Sequence, residues 1–278
     1  MDLKDEFRAM VQELASNYAL PKISKVFFPP FYKGGQPKES EFMALLLEGG
    51  AVGISYVLLE DEKELEYNAL KPAEFIGRAP AEYAHEFGTA DPVRNMLGLA
   101  ALNAVCQHVM NQTRFPLDFA TDSLGLLSVS KEDRVGMVGF FSPLIKIIEK
   151  CGAELIIIEK KESLIKEYPR FHITLDPREL KQCNKVLCTS TTIFNNTLDD
   201  ILLNCSPAAK VSIIGPTAGY FPDPLFDRGV DVVGGTLVKD GELFFRLISE
   251  KKRWGPATQK FCIQKSSYPG IPTPDEAA

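Results

Sequence analysis

The sequence predicts an α/β protein of two domains, and three observations predict it. From Arg134 onward, short apolar runs alternate with helical segments, the order of a mostly parallel sheet with crossover helices. The run Leu155-Ile156-Ile157-Ile158 is apolar at every position, as a strand covered on both faces must be. Before Arg134 the order is different: a helix, β-rich stretches, short helices and one strong helix, which describes a smaller α+β unit.

The elements follow in order. Phe7, Met10, Val11, Leu14 and Tyr18 share one face at helical spacing and define the first helix. Lys25-Val26-Phe27-Phe28 reads as a strand stopped by Pro29-Pro30, and Val52 to Leu59 as a second strand after the turn signal Gly49-Gly50. Pro72 to Ala84 reads as short helix and loop. Asp91-Pro92 opens a helix through Asn95 to Cys106, because an Asp carboxylate accepts the free N–H groups of a first turn and Pro has no N–H to leave unpaired. The small residues of that helix predict close packing against a neighbour. Thr121 to Asp133 is the passage between domains, which places the boundaries at 1–125 and 126–265.

In the second domain, Arg134 to Phe140 is a buried strand. Ser142 is the expected N-cap and Pro143 the first residue of a helix that stops at Cys151-Gly152. Strands follow at 154–159, 185–188, 210–214 and 230–233, with helices at 198–204 and about 242–250. The Pro-rich tail, 266–278, is expected to be loose.

Composition excludes some classes of function. The net charge is −6, and a nucleic-acid binder needs a basic surface to neutralise phosphates, so nucleic acid is not an expected partner. The longest apolar runs are strand-sized and the first residues are polar and acidic, so neither a membrane span nor a leader is expected. The six cysteines are scattered, which suits reduced thiols in the cytoplasm. His85, His108 and His172 lie far apart and no Cys-x-x-Cys pair occurs, so no side-chain metal site is expected.

The residues that could bind a ligand cluster at the expected strand ends, where open α/β sheets hold ligands. Gly139-Phe140-Phe141-Ser142 joins the first strand to a helix whose first turn has no acid, so its N–H groups are available to an anion. The spacing is not the dinucleotide G-x-G-x-x-G, and two bulky phenylalanines stand where a pyrophosphate needs close approach. Glu159 ends the second strand, where an acid can hold ribose hydroxyls; the competing reading is a solvated acid beside Lys160 and Lys161. Cys188 to Thr197 supplies hydroxyls and amides. Thr189, Ser190, Thr191 and Asn195 are the expected contacts, with Asn196 or Thr197 as helix cap. Gly215 to Pro222 is expected to form either a lip over the same edge, with Thr217 lining it, or a rigid surface loop. Asn103, an amide in an apolar helix run, either has a nearby backbone group as its partner or faces the interdomain cleft.

Several segments together resemble one family. They are Leu97 to Ala104, Val135 to Leu144, Thr189 to Leu198, Gly215-Pro216-Thr217 and Gly229 to Thr236. In this order they look like the heavy-metal chelation family, formerly a domain of unknown function, over nearly the whole chain to about Glu250. The resemblance implies an α+β domain like the enolase N-terminal domain followed by a Rossmann-like domain, with a ligand site in the cleft between them. It does not imply enolase chemistry, which needs a metal-bearing barrel.

The leading expectation is binding or processing of a small metabolite, with a heavy-metal chelator as the class the resemblance suggests. Any metal would arrive already held by an organic chelator. A competing reading is a transferase using adenosylmethionine or another nucleotide-type cofactor. A third is an oligomeric scaffold, a homo-oligomer with a vestigial pocket. Whether the protein is an enzyme stays open at this point.

Overall fold

A computed structural model describes residues 2–119, 124, 126–160, 162–165, 168 and 171–274. The expected boundary residue 125, Lys161 beside Glu159, and the last four residues of the tail lie outside them.

The chain is mixed α/β, with a small antiparallel sheet and a large, mostly parallel one. The helix α1 (Leu3–Asn17) precedes strand β1 (Ile23–Phe27), and strands β2 (Phe42–Leu47) and β3 (Val52–Tyr56) complete an antiparallel sheet in the order β1-β2-β3. β2 has no counterpart in the sequence reading, for a physical reason. Its run Phe-Met-Ala-Leu-Leu-Leu shows no alternation because both of its faces are covered. Met43, Leu45 and Leu47 enter the main core, whereas Ala44 and Leu46 meet Phe244, Phe245 and Ile248. Short helices α2 (Glu64–Asn68) and α3 (Pro80–Ala84) lead to α4 (Pro92–Gln112). Asp91 caps α4 as expected, accepting from the Val93 and Arg94 N–H groups. The close packing is also as expected. A Cβ on Gly53 of β3 would lie 1.8 Å from the Ala100 carbonyl oxygen, so strand and helix touch backbone to backbone.

The large sheet comprises β4 (Arg134–Val138), β5 (Glu154–Ile158), β6 (His172–Thr174), β7 (Lys185–Thr189), β8 (Lys210–Ile214), β9 (Val232–Val238) and β10 (Thr258–Gln264). Its order is β10-β9-β8-β7-β4-β5-β6, parallel from β9 to β6, with β10 antiparallel at one edge. Between these strands lie α5 (Ser142–Cys151), α6 (Thr191–Phe194), α7 (Leu198–Leu203), α8 (Asp223–Phe226) and α9 (Gly241–Ser249). Alternate residues of the central strands feed opposite cores. Val135, Met137, Leu155 and Ile157 pack with α5, whereas Val138, Ile156 and Ile158 join the core that also contains Phe7 and Leu14 of α1 and Leu99 and Val105 of α4. The N-terminal elements thus share a continuous core with one face of the parallel sheet.

Three expectations change. Ser142 is the first residue of α5 rather than its cap; Phe141 occupies the cap position and no side chain caps the helix. β10 and the three-residue β6 were not anticipated, being an alternating edge strand and a segment too short to show a pattern. The tail is docked as far as it is described: the Tyr268 hydroxyl donates to Asp223 at 2.5 Å, and the Tyr18 hydroxyl donates to the Pro272 carbonyl at 2.8 Å.

Candidate functional site

The strand order determines where a ligand edge lies. β4 is followed in the chain by β5 on one side, and the sheet resumes with β7 on the other, so the connections leave in opposite directions outside the carboxyl ends of β4 and β7, the arrangement at which open α/β sheets have their ligand crevice. Gly139 and Thr189 stand at those two ends. Gly139 has φ +92°, a conformation open to glycine, and its N–H donates to the Ile158 carbonyl at 2.9 Å. A Cβ there would sit 3.3 Å from Thr189 Cγ2. Phe140 and Phe141 are half-buried against the α5 core, and Ser142 is exposed at the uncapped start of that helix.

Beyond β7 the expected loop contains the one-turn helix α6. Thr189 organises its start: its Oγ1 accepts from the Thr191 N–H at 3.3 Å and donates to Thr191 Oγ1 at 3.1 Å. Ser190 and Thr217 lie beneath the edge, only 4% and 3% exposed, with their hydroxyl oxygens 2.8 Å apart. Gly215 makes room for this pair, since a Cβ there would be 2.1 Å from Ser190 Oγ. The Asn195 amide nitrogen faces the carbonyls of Thr191 and Thr192 at 3.3 and 3.2 Å and Thr197 Oγ1 at 2.6 Å, so this side chain closes α6. Thr197 occupies the cap position of α7 without a side-chain cap bond, and Asn196 adopts a left-handed φ of +58°. Neither residue caps α7 as expected. Glu159 follows β5 on the same sheet edge, and its Oε1 accepts from the Lys160 N–H at 2.8 Å.

The structure therefore places Gly139, Phe140, Phe141, Ser142, Thr189, Thr191 and Glu159 along the carboxyl ends of three adjacent strands. Ser190 and Thr217 form a buried second layer, and Asn195 lies at the far end of α6.

The segment from Thr217 to Phe221 is neither a lip nor a surface loop. It is buried between α4 and the sheet, and a Cβ on Gly235 would be 2.1 Å from the Ala218 carbonyl. Asn103 fixes it: Nδ2 donates to the Ile54 and Thr217 carbonyls at 2.8 and 2.9 Å, and Oδ1 accepts from the Gly219 N–H at 3.2 Å. One turn along, Gln107 donates to the Thr236 carbonyl at 2.8 Å. The interdomain space is filled on this side.

A cavity of about 230 Å³ remains elsewhere at the junction, between Asp2, Leu3, Lys4 and Gly88 on one wall and the α6–α7 segment on the other. Lys4 is 3% exposed. Its Nζ donates to the Phe194 carbonyl at 3.2 Å and lies 5.4 Å from the centre of the Phe87 ring. Burial pushes its pKa below the ordinary lysine value; Asp2 opposes the shift and Arg8 adds to it. Sequence reasoning missed Lys4, although a signal existed: three residues before Phe7 and seven before Val11, it stands on the apolar stripe of α1.

Side-chain metal ligation fits poorly. Among the described residues no three His, Cys, Asp or Glu groups converge. Burial pushes the Cys106 and Cys188 thiols up to about 12, and those of Cys183 and Cys205 up to about 11, away from the thiolate a soft metal needs. Among the described residues no helix is long and apolar enough to cross a membrane.

Two family models match the chain, at residues 122–265 and 40–106, and both carry the description "Putative heavy-metal chelation". An uncharacterized protein of Methanocaldococcus jannaschii is 25% identical over 226 residues, 77% of this chain and 82% of that protein. Two crystal structures have the same fold. One is a protein with unknown function from Pyrococcus horikoshii, with a TM-score of 0.70 and 18% identity over 95% of this chain and 100% of that one. The other is from Desulfitobacterium hafniense, with a TM-score of 0.67 and 18% identity over 95% of this chain and 98% of that one.

Proposed function

The chain belongs to this heavy-metal chelation family, and from that premise we propose that it binds a small metabolite, specifically a metal chelate, at the crevice between the ends of β4 and β7. The observation that carries the reading is the close approach of Gly139 and Thr189 at those two strand ends, beside the start of α5. The first turn of α5 holds no acid and no side chain caps it; Pro143 has no N–H and those of Leu144 and Ile145 donate to the Phe141 carbonyl, which leaves the Ser142 N–H to meet a ligand carboxylate. Phe140 and Phe141 would pack on the apolar part of the ligand and Thr189 and Thr191 would meet its polar groups. The dispersed His and Cys side chains support a metal that arrives with its own organic donors. The metal is cargo in this reading.

The test is thermal unfolding with nickel, zinc or copper chloride, with citrate, and with each metal citrate. A ligand bound only by the native state adds about 2.7 kcal/mol of stability at one hundred times its Kd. Stabilisation by a metal citrate beyond either component, lost in Gly139→Val, is the expected result. No shift with any complex would sink the reading and favour a scaffold.

A second reading rests on Glu159. It follows β5 directly, where an acid can hold ribose hydroxyls. A transferase using adenosylmethionine would be stabilised by that cofactor, and Glu159→Ala would abolish the effect.

A further inference from the structure

We infer that the cavity between the start of α1 and the α6–α7 segment is a second ligand site, in which the Lys4 amine condenses reversibly with the carbonyl of a small aldehyde or ketone. The lysine is held inside the protein for no evident structural gain. It is 3% exposed, and the Asp2 carboxylate acts on its ammonium only at longer range than an ion pair. The Phe194 carbonyl takes one of its protons and the Phe87 ring lies near it. Such burial is costly for a charged amine. The protein nevertheless makes room for the chain: Gly88, at φ +93°, leaves the space next to Lys4, where a Cβ would lie 2.6 Å from that of Lys4.

Burial favours the free amine, the nucleophilic state that imine-forming lysines require, although Asp2 works against it. An anion would also relieve a buried ammonium, but Asp2 and Asp199 line the same cavity and disfavour a second negative charge. The lining is mixed, with Leu3, Ile193 and Leu198 beside the polar side chains of Thr192 and Asn196, which suits a short neutral carbonyl compound. In the step, the amine lone pair forms a C–N bond to the carbonyl carbon while the C=O π pair moves to oxygen. A proton passes from nitrogen to that oxygen, giving the neutral carbinolamine; a second proton, taken from solvent, lets the hydroxyl leave as water while the nitrogen lone pair forms the protonated imine. Water reverses it, and no oxidant or reductant is consumed. This site is distinct from the β4–β7 crevice, although α6 stands between them.

The full chain is incubated at neutral pH with propanal and cyanoborohydride, which reduces the imine to a stable secondary amine, and labelled lysines are mapped by mass spectrometry over time. Lys4 is expected to be labelled several-fold faster than the exposed lysines, since a lowered pKa leaves more free amine at neutral pH. In urea that preference should disappear. Lys4→Arg should remove the fast phase while leaving the labelling of the other lysines unchanged. Labelling of Lys4 no faster than that of Lys22, Lys131 and Lys239, or none in the folded protein, would overturn the inference.

Discussion

Asn103 in the middle of α4 and Thr217 after β8 are joined by a 2.9 Å hydrogen bond between Nδ2 and a carbonyl oxygen, across 114 positions of sequence. The same amide also bonds Ile54 of β3 and Gly219. One side chain thus ties the antiparallel sheet, the long helix and the loop beneath the ligand edge. Asn103→Ala would leave two carbonyls and an N–H unpaired in a dry interior. Its expected cost is about 3 kcal/mol, at the upper end for a buried unsatisfied group. Urea unfolding monitored by far-UV circular dichroism measures it, and a loss below 1 kcal/mol would show that water replaces the amide.

Ser190 and Thr217 present a different case, because each hydroxyl has the other as partner at 2.8 Å. Ser190→Ala strands the Thr217 hydroxyl and Thr217→Val strands that of Ser190, each costing about 1–2 kcal/mol. The double variant removes both polar groups together. It should cost less than the sum of the singles by about 1 kcal/mol. Strict additivity in the unfolding free energies would mean that the pair is not coupled.

At Gly139 the effect should fall on binding more than on folding. Any side chain there carries the strain of φ +92°, about 1–2 kcal/mol, and its Cβ meets Thr189 at 3.3 Å. Gly139→Val should therefore lower Tm by a few degrees. It should weaken a ligand at the crevice at least tenfold by isothermal titration calorimetry. Gly215→Ala should do the opposite. Its Cβ would lie 2.1 Å from the buried Ser190 hydroxyl, so stability should suffer first.

The contrast between Gly139 and Asn103 shows what could be read from sequence. Gly139 was legible because its signal is local: a strand end, a glycine and a helix start lie within four residues. The parallel sheet was legible for the same reason, through Leu155 to Ile158. The three partners of Asn103 were not, since Ile54, Thr217 and Gly219 meet it only after both halves have folded. Ser190 and Thr217 looked like free ligand groups because a hydroxyl's partner leaves no trace in spacing. Lys4 was overlooked for the reverse reason: a lysine in a first turn normally sits in solvent, and only its register with Phe7 and Val11 marks it.

The last prediction concerns acid. Asp133, at the amino edge of the sheet, is 7% exposed and accepts from Lys185 Nζ at 2.8 Å, Asn184 Nδ2 at 2.8 Å and the Ser130 N–H at 2.7 Å. Burial alone would raise its pKa, but these donors outweigh it and hold the carboxyl well below the usual range. A folded pKa below the unfolded one gives stability that is fully present above about pH 4, the unfolded value for Asp. That stability is lost as pH falls from there toward the folded value. Asp133→Asn should cost about 3 kcal/mol at pH 7, the scale of a broken buried pair. The gap to the parent should narrow as the pH is taken below 4. Asp176 is the control: its bonds to Arg178 hold its carboxyl at about 2, but the pair is exposed and lies within one turn. Asp176→Asn should leave the acid limb of a stability–pH curve nearly unchanged. Equal effects of the two substitutions would show that the buried position of Asp133 adds nothing.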